Sequence, residues 1–80
     1  MFHVYILQSI AKPDEFYTGF TESLPDRLPH HNSGDSVHTA KHRPWRLILN
    51  LEFMDRYKAL AFERYLKSGS GRAFAAKHFR

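Results

Sequence analysis

Eighty residues, of which 42% are hydrophobic and 15% aromatic, can form one small core and exclude a multidomain architecture. The absence of cysteine excludes disulfide bridges and thiolate metal sites, and a formal charge of +4 favours a polyanionic partner such as nucleic acid. Neither a signal-peptide pattern nor the ~20 consecutive apolar residues of a membrane span is present, so we expect a cytoplasmic protein without a membrane partner.

The N-terminal part of the sequence predicts a β-hairpin. Residues 2–9 carry apolar side chains on both faces of an alternating pattern, which is typical of a central strand. Lys12-Pro13-Asp14 is a turn signal, and residues 16–21 alternate again. Because the second strand follows so closely, we expect the two strands to pair with each other.

The register of this hairpin decides whether two tyrosines share a face. Side chains of directly paired residues lie on the same face of the sheet. Tyr5 and Tyr17 therefore share a face if the numbers of two paired residues add up to an even number, as they do when Tyr5 pairs with Thr21. That pairing predicts an odd-length loop such as residues 11–15. Gly19 leaves the second strand without a side chain beside Tyr17, which suits the close approach of a ligand backbone.

A short helix is predicted over residues 23–31, with Thr21 or Ser23 as its N-cap. Pro25 is acceptable in the first turn. Pro29 removes an interior hydrogen bond and clashes with the preceding turn, at a cost of about 3 kcal/mol, so we expect a kink or an early end. An Asn-Ser-Gly sequence then ends the helix and a polar loop follows.

The second half of the chain predicts a strand and two helices. Alternation places four apolar side chains on one face of the strand: Leu47, Leu49, Leu51 and Phe53. A helix from about Asp55 to Lys67, stopped by Gly69, covers that face, and Ser70 caps a last short helix. The fold class is α+β, a single domain over residues 1–80 with a small three-stranded, mostly antiparallel sheet flanked by helices in the order β-β-α-β-α-α.

Glu63 fits poorly as a solvated helix residue. On a helical wheel it lies near the middle of an apolar arc that includes Phe62 and Leu66. A carboxylate in that position needs a cationic partner, and the candidates are Arg27, Lys67 and a metal ion. A structural salt bridge is the alternative to a functional role. A lone carboxylate suits Mg²⁺ or Mn²⁺, which keep several waters and accept phosphate oxygens.

Basic residues predict contacts with a phosphate backbone. The candidates for DNA binding are Lys41, His42, Arg43, Arg46 and Lys67. Trp45, among them, can stack on a base or belong to the core. A zinc site from the histidines is not expected, because their spacing matches no known finger pattern. The cations near the C-terminus are expected to be a solvated helix end: Arg72, Lys77, His78 and Arg80.

Five short motifs occur in order along the chain: His3-Val4-Tyr5, Tyr17-Thr18-Gly19, Arg27-Leu28, His31-Asn32 and a distant helical Glu63. Together they resemble the GIY-YIG nuclease domain in its small, stand-alone bacterial form, which is related to the catalytic domain of the bacterial excision-repair nuclease. The resemblance covers about the whole chain. Two departures are a histidine in place of the first glycine and the prolines in the first helix.

The resemblance implies an endonuclease that depends on a divalent metal and hydrolyses DNA phosphodiesters. The catalytic residues it implies are Tyr5, Tyr17, Arg27, His31 and Glu63. Glu63 holds Mg²⁺ or Mn²⁺, Tyr5 acts as general base with help from Tyr17 or His31, and Arg27 stabilises the developing charge. Branched or damaged DNA is the implied substrate, in repair or recombination. The alternatives are a nucleic-acid-binding module of the same fold that cleaves poorly, and a structural or interaction domain.

Overall fold

Three antiparallel strands form the centre of the molecule, whose computed structural model describes residues 1–80. The elements are β1 (Phe2–Ser9), β2 (Phe16–Thr21), α1 (Leu24–Ser33), α2 (Val37–Ala40), β3 (Trp45–Phe53), α3 (Arg56–Lys67) and α4 (Gly69–His78). The strand order is β2-β1-β3, with β1 in the centre. The α+β class and the element order are confirmed, and the four-residue α2 is an addition. No helix has the length and apolar character needed to cross a membrane.

One face of β1 packs against the two C-terminal helices. Val4 and Ile6 are fully buried there against Ala59 and Leu66 of α3 and Ala75 of α4. Burying a side chain such as valine or isoleucine stabilises a fold by about 1.5–3 kcal/mol. This apolar layer therefore fixes α3 and α4 under the sheet.

The opposite face of β1 packs against α1 and contains the buried tyrosine and the tryptophan. Tyr5, Leu7 and Trp45 form a second buried cluster, and Leu24 and Leu28 of α1 pack on it. Trp45 is 4% exposed, so it belongs to the core and is not available to stack on a base. The two faces of the sheet thus have separate cores.

The hairpin has the predicted parity and a different register. Tyr5 pairs with Gly19 and Leu7 pairs with Tyr17, so the expected pairing of Tyr5 with Thr21 is wrong by two positions. The two tyrosines still share a face, because a shift of two keeps every side chain on its side of the sheet. The Ser9 amide donates to the Glu15 carbonyl at 3.0 Å, which closes the loop one residue earlier than expected.

Gly19 has a different purpose from the one expected. A Cβ at this position would overlap the Tyr5 hydroxyl, so the glycine makes room for the tyrosine side chain across the strand pair. The expectation that it admits a ligand backbone is therefore replaced by an internal packing requirement.

A β-bulge in β3 shows that the prediction of four apolar side chains on one face of this strand is wrong. Ile6 pairs with Leu49 and Leu7 pairs with Leu47, so Ile48 is the extra residue between them. Beyond a bulge the side chains of the strand change faces. Leu47 consequently lies on the Tyr5 side of the sheet, away from α3, and is 38% exposed.

Helix α1 continues through Pro29 for ten residues and ends at Gly34, which has a φ of 85°. The early end expected at Pro29 does not occur. Pro25 and Pro29 are both exposed, so water can satisfy the carbonyl that loses its hydrogen bond. Meanwhile the opposite side of the helix is held by Leu24 and Leu28 packing on the sheet.

The junction between α3 and α4 also differs from the prediction. Asp55 caps α3 as expected, accepting hydrogen bonds from the amides of Tyr57 and Lys58. Gly69, however, begins α4 rather than stopping α3, and Ser68, not Ser70, is the N-cap that accepts from the Gly71 amide. The two helices therefore meet at a single residue.

Candidate active site

A buried hydrogen-bonded chain connects three elements on the Tyr5 face of the sheet. The Tyr5 hydroxyl lies 2.8 Å from Nε2 of His31, and Nδ1 of His31 lies 2.8 Å from Oγ1 of Thr39. The carbonyl of Thr39 accepts a hydrogen bond of 2.8 Å from the Trp45 indole. Tyr5, His31 and Thr39 are each 0% exposed. Residues from β1, α1 and α2 are therefore locked into one arrangement.

His31 is neutral in this chain. Burial lowers its pKa to about 4, and the charges of Arg27 and His30 act in the same direction. The Thr39 hydroxyl has His31 Nδ1 as its sole hydrogen-bond partner, so the network is satisfied if Thr39 donates to Nδ1. Nε2–H then donates to the Tyr5 oxygen. In that tautomer His31 is a donor to Tyr5, whereas in the other tautomer the Tyr5 hydroxyl donates to Nε2.

Tyr17 forms the outer wall of this cluster. Its ring centroid lies 4.8 Å from that of His31 and 6.3 Å from that of Tyr5. Tyr17 is half-buried, whereas Tyr5 behind it is fully buried. A molecule that enters from solvent therefore contacts Tyr17 before it reaches Tyr5.

Arg27 approaches Tyr5 from α1. Burial raises the pKa of the Tyr5 hydroxyl above its ordinary value, while the nearby Arg27 guanidinium acts in the opposite direction. Nε of Arg27 is buried and has no hydrogen-bond partner. An unpartnered N–H of a permanent cation is a ready donor to an anionic oxygen of a ligand.

Glu63 and Lys67 complete the cluster from α3. Nζ of Lys67 lies 3.0 Å from a Glu63 oxygen, and the side chains are 50% and 20% exposed, respectively. The negative charge of Glu63 is the last of the contributions that raise the pKa of Tyr5, after burial and the charge of Tyr17. Lys67 also lies 6.0 Å from the centre of the Tyr17 ring.

The structure thus brings together the five residues named as catalytic: Tyr5, Tyr17, Arg27, His31 and Glu63. Tyr5 belongs to the face covered by α1, whereas Glu63 comes from the helix under the other face. Lys67 connects the two groups at the outer strand β2, because its Nζ lies 3.0 Å from Glu63 and 6.0 Å from the centre of the Tyr17 ring. The bare backbone at Gly19 leaves room for the Tyr5 side chain at this strand.

The donor set suits one kind of metal site. No group of three or more His, Asp or Glu side chains is arranged to hold an ion by itself. Mg²⁺ and Mn²⁺ are commonly bound by one or two carboxylates together with water and substrate phosphates. Glu63 offers such a carboxylate, with one oxygen not engaged by Lys67.

The five residues named for DNA binding lie in different environments. Lys67 belongs to the cluster described above. Lys41 is exposed at the end of α2, and the Arg43 guanidinium lies against Gly34, where a Cβ would overlap it. His42 lies 3.7 Å from Glu15.

Arg46 is separated from this group by the sheet. Its guanidinium donates to the Gln8 side chain, and the residue following Trp45 points to the opposite face of β3. The prediction of a single basic patch around Trp45 is therefore wrong. The tryptophan is buried, and the side chain of Arg46 lies on the other face of the sheet.

The structural roles of two residues were not predicted from the sequence, in which Thr39 was not singled out and Asn32 was named only as part of a motif. Thr39 falls in what reads as a polar loop, and nothing in its neighbourhood signals burial. Asn32 accepts from the Trp45 amide at 2.6 Å and donates to the Trp45 carbonyl at 3.1 Å, which fixes the start of β3 against α1. Both act through contacts distant in sequence, which local patterns do not reveal.

Comparison with known proteins agrees with this geometry. The family profile described as the GIY-YIG catalytic domain matches residues 1–77. The chain belongs to the GIY-YIG family. The matched range includes the two tyrosines, Tyr5 on β1 and Tyr17 on the adjacent β2, and Glu63 on α3.

Relatives of this GIY-YIG domain occur in fungi and bacteria. The chain is 43% identical over 67 residues to the "Structure-specific endonuclease subunit SLX1" of Scheffersomyces stipitis, and 45% identical over 65 residues to the protein described in the same words from Aspergillus terreus. These matches cover 75% and 74% of the chain, and 20% and 17% of those relatives. The chain thus spans about a fifth of the length of these relatives.

A bacterial relative is closer in length. The chain is 33% identical over 67 residues to a "UPF0213 protein" of Lacticaseibacillus paracasei, and the match covers 82% of the chain and 73% of the relative. The GIY-YIG domain therefore makes up most of that bacterial protein and a minor part of the fungal ones.

Proposed function

We propose that this GIY-YIG domain is a DNA endonuclease that requires Mg²⁺ or Mn²⁺ and hydrolyses phosphodiester bonds. The observation that carries the proposal is the buried Tyr5–His31–Thr39 chain, placed beside Arg27 and Glu63 at the edge of the sheet. Burying polar and charged groups costs free energy, and clusters of such groups with perturbed pKa values occur preferentially at functional sites.

Tyr5 is the proposed general base. As a phenolate its oxygen can accept Nε2–H of His31, and it lies beside the Arg27 guanidinium, so both neighbours favour the deprotonated form. Burial opposes them and keeps the phenol protonated in the free protein. Because Tyr5 is fully buried, the attacking water has to enter with the substrate phosphate, past the half-buried Tyr17.

Arg27 and Glu63 are assigned to the charge of the transition state. The unpartnered Nε of Arg27 and the rest of its planar fork can donate to phosphoryl oxygens as negative charge grows on them. Glu63 would hold the divalent cation, which supplies Lewis-acid polarisation of the phosphate and stabilises the leaving oxygen. Lys67 would leave Glu63 and contact a phosphate once that cation is bound.

The proposed substrate is branched DNA, in repair or recombination. The support comes from the fungal relatives, whose description names them subunits of a structure-specific endonuclease. The exposed cations Lys41 and Arg43 are the proposed contacts with the backbone away from the cleavage site.

A nucleic-acid-binding module that cleaves poorly is the competing function. One observation favours it, since Lys67 already neutralises Glu63 at 3.0 Å and makes a metal ion unnecessary for the stability of the folded protein. A metal ion would compete with Lys67 for the negative charge of Glu63, and the binding module requires no such competition.

The test is a nicking assay on supercoiled plasmid and on a branched duplex with Mg²⁺ or Mn²⁺. Wild type should cleave, and Glu63→Gln should lose cleavage by roughly 10²-fold or more while it keeps its affinity for DNA measured in EDTA. Glu22→Gln is the matched control, because Glu22 is exposed and forms no salt bridge. Cleavage by Glu63→Gln at the control rate would contradict the assignment, and binding without cleavage in wild type would establish the binding module.

A further inference from the structure

A groove of about 420 Å³ runs beside the candidate active site, between β2 and the α3–α4 pair. Tyr17 and Lys67 line it, and both also belong to the active-site cluster. Arg72 of α4 and the C-terminal Arg80 line it further away. The groove is therefore continuous with the place where the scissile phosphate would lie.

The arginines of this groove have no acidic partner. Neither Arg72 nor Arg80 has a carboxylate within 4 Å. The Arg80 guanidinium lies 4.5 Å from the centre of the Phe16 ring, and this cation–π contact holds it against the groove wall. The cations that the sequence assigns to a solvated helix end thus include two whose charge faces a concave surface.

Acidic residues of the groove come from a different element. Asp14 and Glu15 belong to the loop that joins β1 to β2, whereas Lys67, Arg72 and Arg80 come from the helical side. Glu15 also lies 3.7 Å from His42. An anionic ligand is therefore attracted to the helical wall and repelled from the loop, which gives it a defined side of the groove.

We infer that Arg72 and Arg80 bind the backbone phosphates that flank the scissile phosphate on the same nucleic-acid strand. This inference rests on the proposed function for the position of the cleaved bond. Charges along one strand recur every ~3.4 Å of helix axis, so a strand held at Tyr17 and Lys67 brings its next phosphates to this wall. Arginine suits the task because its fork can hold two phosphate oxygens.

The first test measures affinity for a nicked duplex against salt concentration in EDTA, where no cleavage occurs. Arg72→Ala/Arg80→Ala should reduce the slope of log K against log salt by about 2 relative to wild type, as two lost phosphate contacts require. The control is Arg64→Ala/Lys77→Ala, which removes the same charge from exposed positions of α3 and α4 outside the groove. Equal slopes for the two double variants would contradict the inference.

The second test locates the contact. Duplexes carry an uncharged methylphosphonate in place of one phosphate, on either side of the cleavage point in turn. On one side of the cleavage point, the methylphosphonate should reduce the affinity of wild type for the duplex. The same methylphosphonate should reduce the affinity of Arg72→Ala/Arg80→Ala by a factor at least about twofold smaller, which is the coupling expected of groups in contact. Equal losses for both proteins on both sides would overturn the inference.

The outcomes separate the groove from the catalytic proposal. A wild type that cleaves but shows no coupling retains the endonuclease function and loses the groove assignment. Coupling without any cleavage retains the phosphate-binding groove and rejects the enzyme. Both arginines are exposed, and a circular dichroism spectrum identical to that of wild type checks that the double variant folds.

Discussion

The two faces of the sheet are built on different physical principles. Under one face, Val4, Ile6, Ala59 and Leu66 are held by apolar contact alone. On the other, Tyr5 and its partners on α1 and α2 are held by hydrogen bonds with defined donors and acceptors. The first arrangement tolerates substitutions that conserve volume at a cost below about 1.5 kcal/mol, whereas the second depends on individual atoms.

This difference has a consequence for function. A buried polar chain fixes the position of Tyr5 to within the tolerance of its hydrogen bonds, as an active site requires. An apolar layer supplies stability without such positional demands. Substitutions on the Tyr5 face should therefore reduce activity by more than their effect on stability would suggest. Substitutions on the α3 face should reduce stability and affect activity less.

Gly19→Ala should have a large effect on both activity and stability. The added methyl group overlaps the Tyr5 hydroxyl, so the tyrosine has to move. We expect cleavage to fall by roughly 10²-fold, because small displacements of a reacting group have effects of that size. The free energy of unfolding should fall by about 1–3 kcal/mol in urea titration, as in other overpacked sites.

Gly69→Ala is the matched control for that substitution. It adds the same methyl group at the first residue of α4, where no atom lies within 4 Å of the new Cβ. Activity should remain at the wild-type level and stability should stay within about 1 kcal/mol, with a gain favoured by the stiffer unfolded chain. Equal losses for both variants would show that the Tyr5 pocket has no special sensitivity.

The stability of the Tyr5 face should depend on pH through His31. Its folded pKa of about 4 lies below the unfolded value of 6.5, so the unfolded chain binds the proton first. The contribution of neutral His31 is fully present above pH 6.5 and is lost as the pH falls toward 4. Between pH 7 and 5 wild type should lose about 2 kcal/mol more than His31→Gln does, measured by urea unfolding. If wild type and His31→Gln lost the same free energy of unfolding between pH 7 and 5, His31 would have to be solvated rather than buried.

Thr39→Val should have the smallest of these effects. Valine keeps the shape of threonine but cannot donate to Nδ1, so His31 no longer has to present Nε2–H to Tyr5. Losing one such hydrogen bond corresponds to about one pKa unit of Tyr5, so kcat should fall about tenfold with KM unchanged. The pH–rate profile should move to higher pH.

Thr39→Ser separates positioning from packing in this experiment. Serine retains the hydroxyl and removes a methyl group, so it should restore both the rate and the profile. A profile that is the same for wild type, Thr39→Val and Thr39→Ser would limit Thr39 to a structural role.

Much of the apolar face could be predicted from the sequence. The central position of β1, the Asp55 cap and the inward arc of α3 follow from local periodicity and capping rules, which operate over a few residues. The inward position of Glu63 follows in the same way, because it depends on the helix alone.

The remaining features depend on contacts that no local pattern encodes. The bulge at Ile48 moves Leu47 to the other face, and an alternating pattern cannot show one extra residue. Burial of Thr39 requires α2 to fold back onto His31, eight residues away. Continuation of α1 through Pro29 depends on its packing, which outweighs the local cost of the proline.

The most direct test of the catalytic assignment is the cleavage rate of Tyr5→Phe at saturating DNA. This substitution removes one oxygen from the centre of the proposed site. Tyr57→Phe removes the same atom from a side chain of a residue that is 80% exposed and serves as its control. We predict that Tyr5→Phe binds DNA like the control in EDTA and cleaves at least about 10²-fold more slowly, as loss of a general base requires. Cleavage by Tyr5→Phe at the control rate would contradict the assignment.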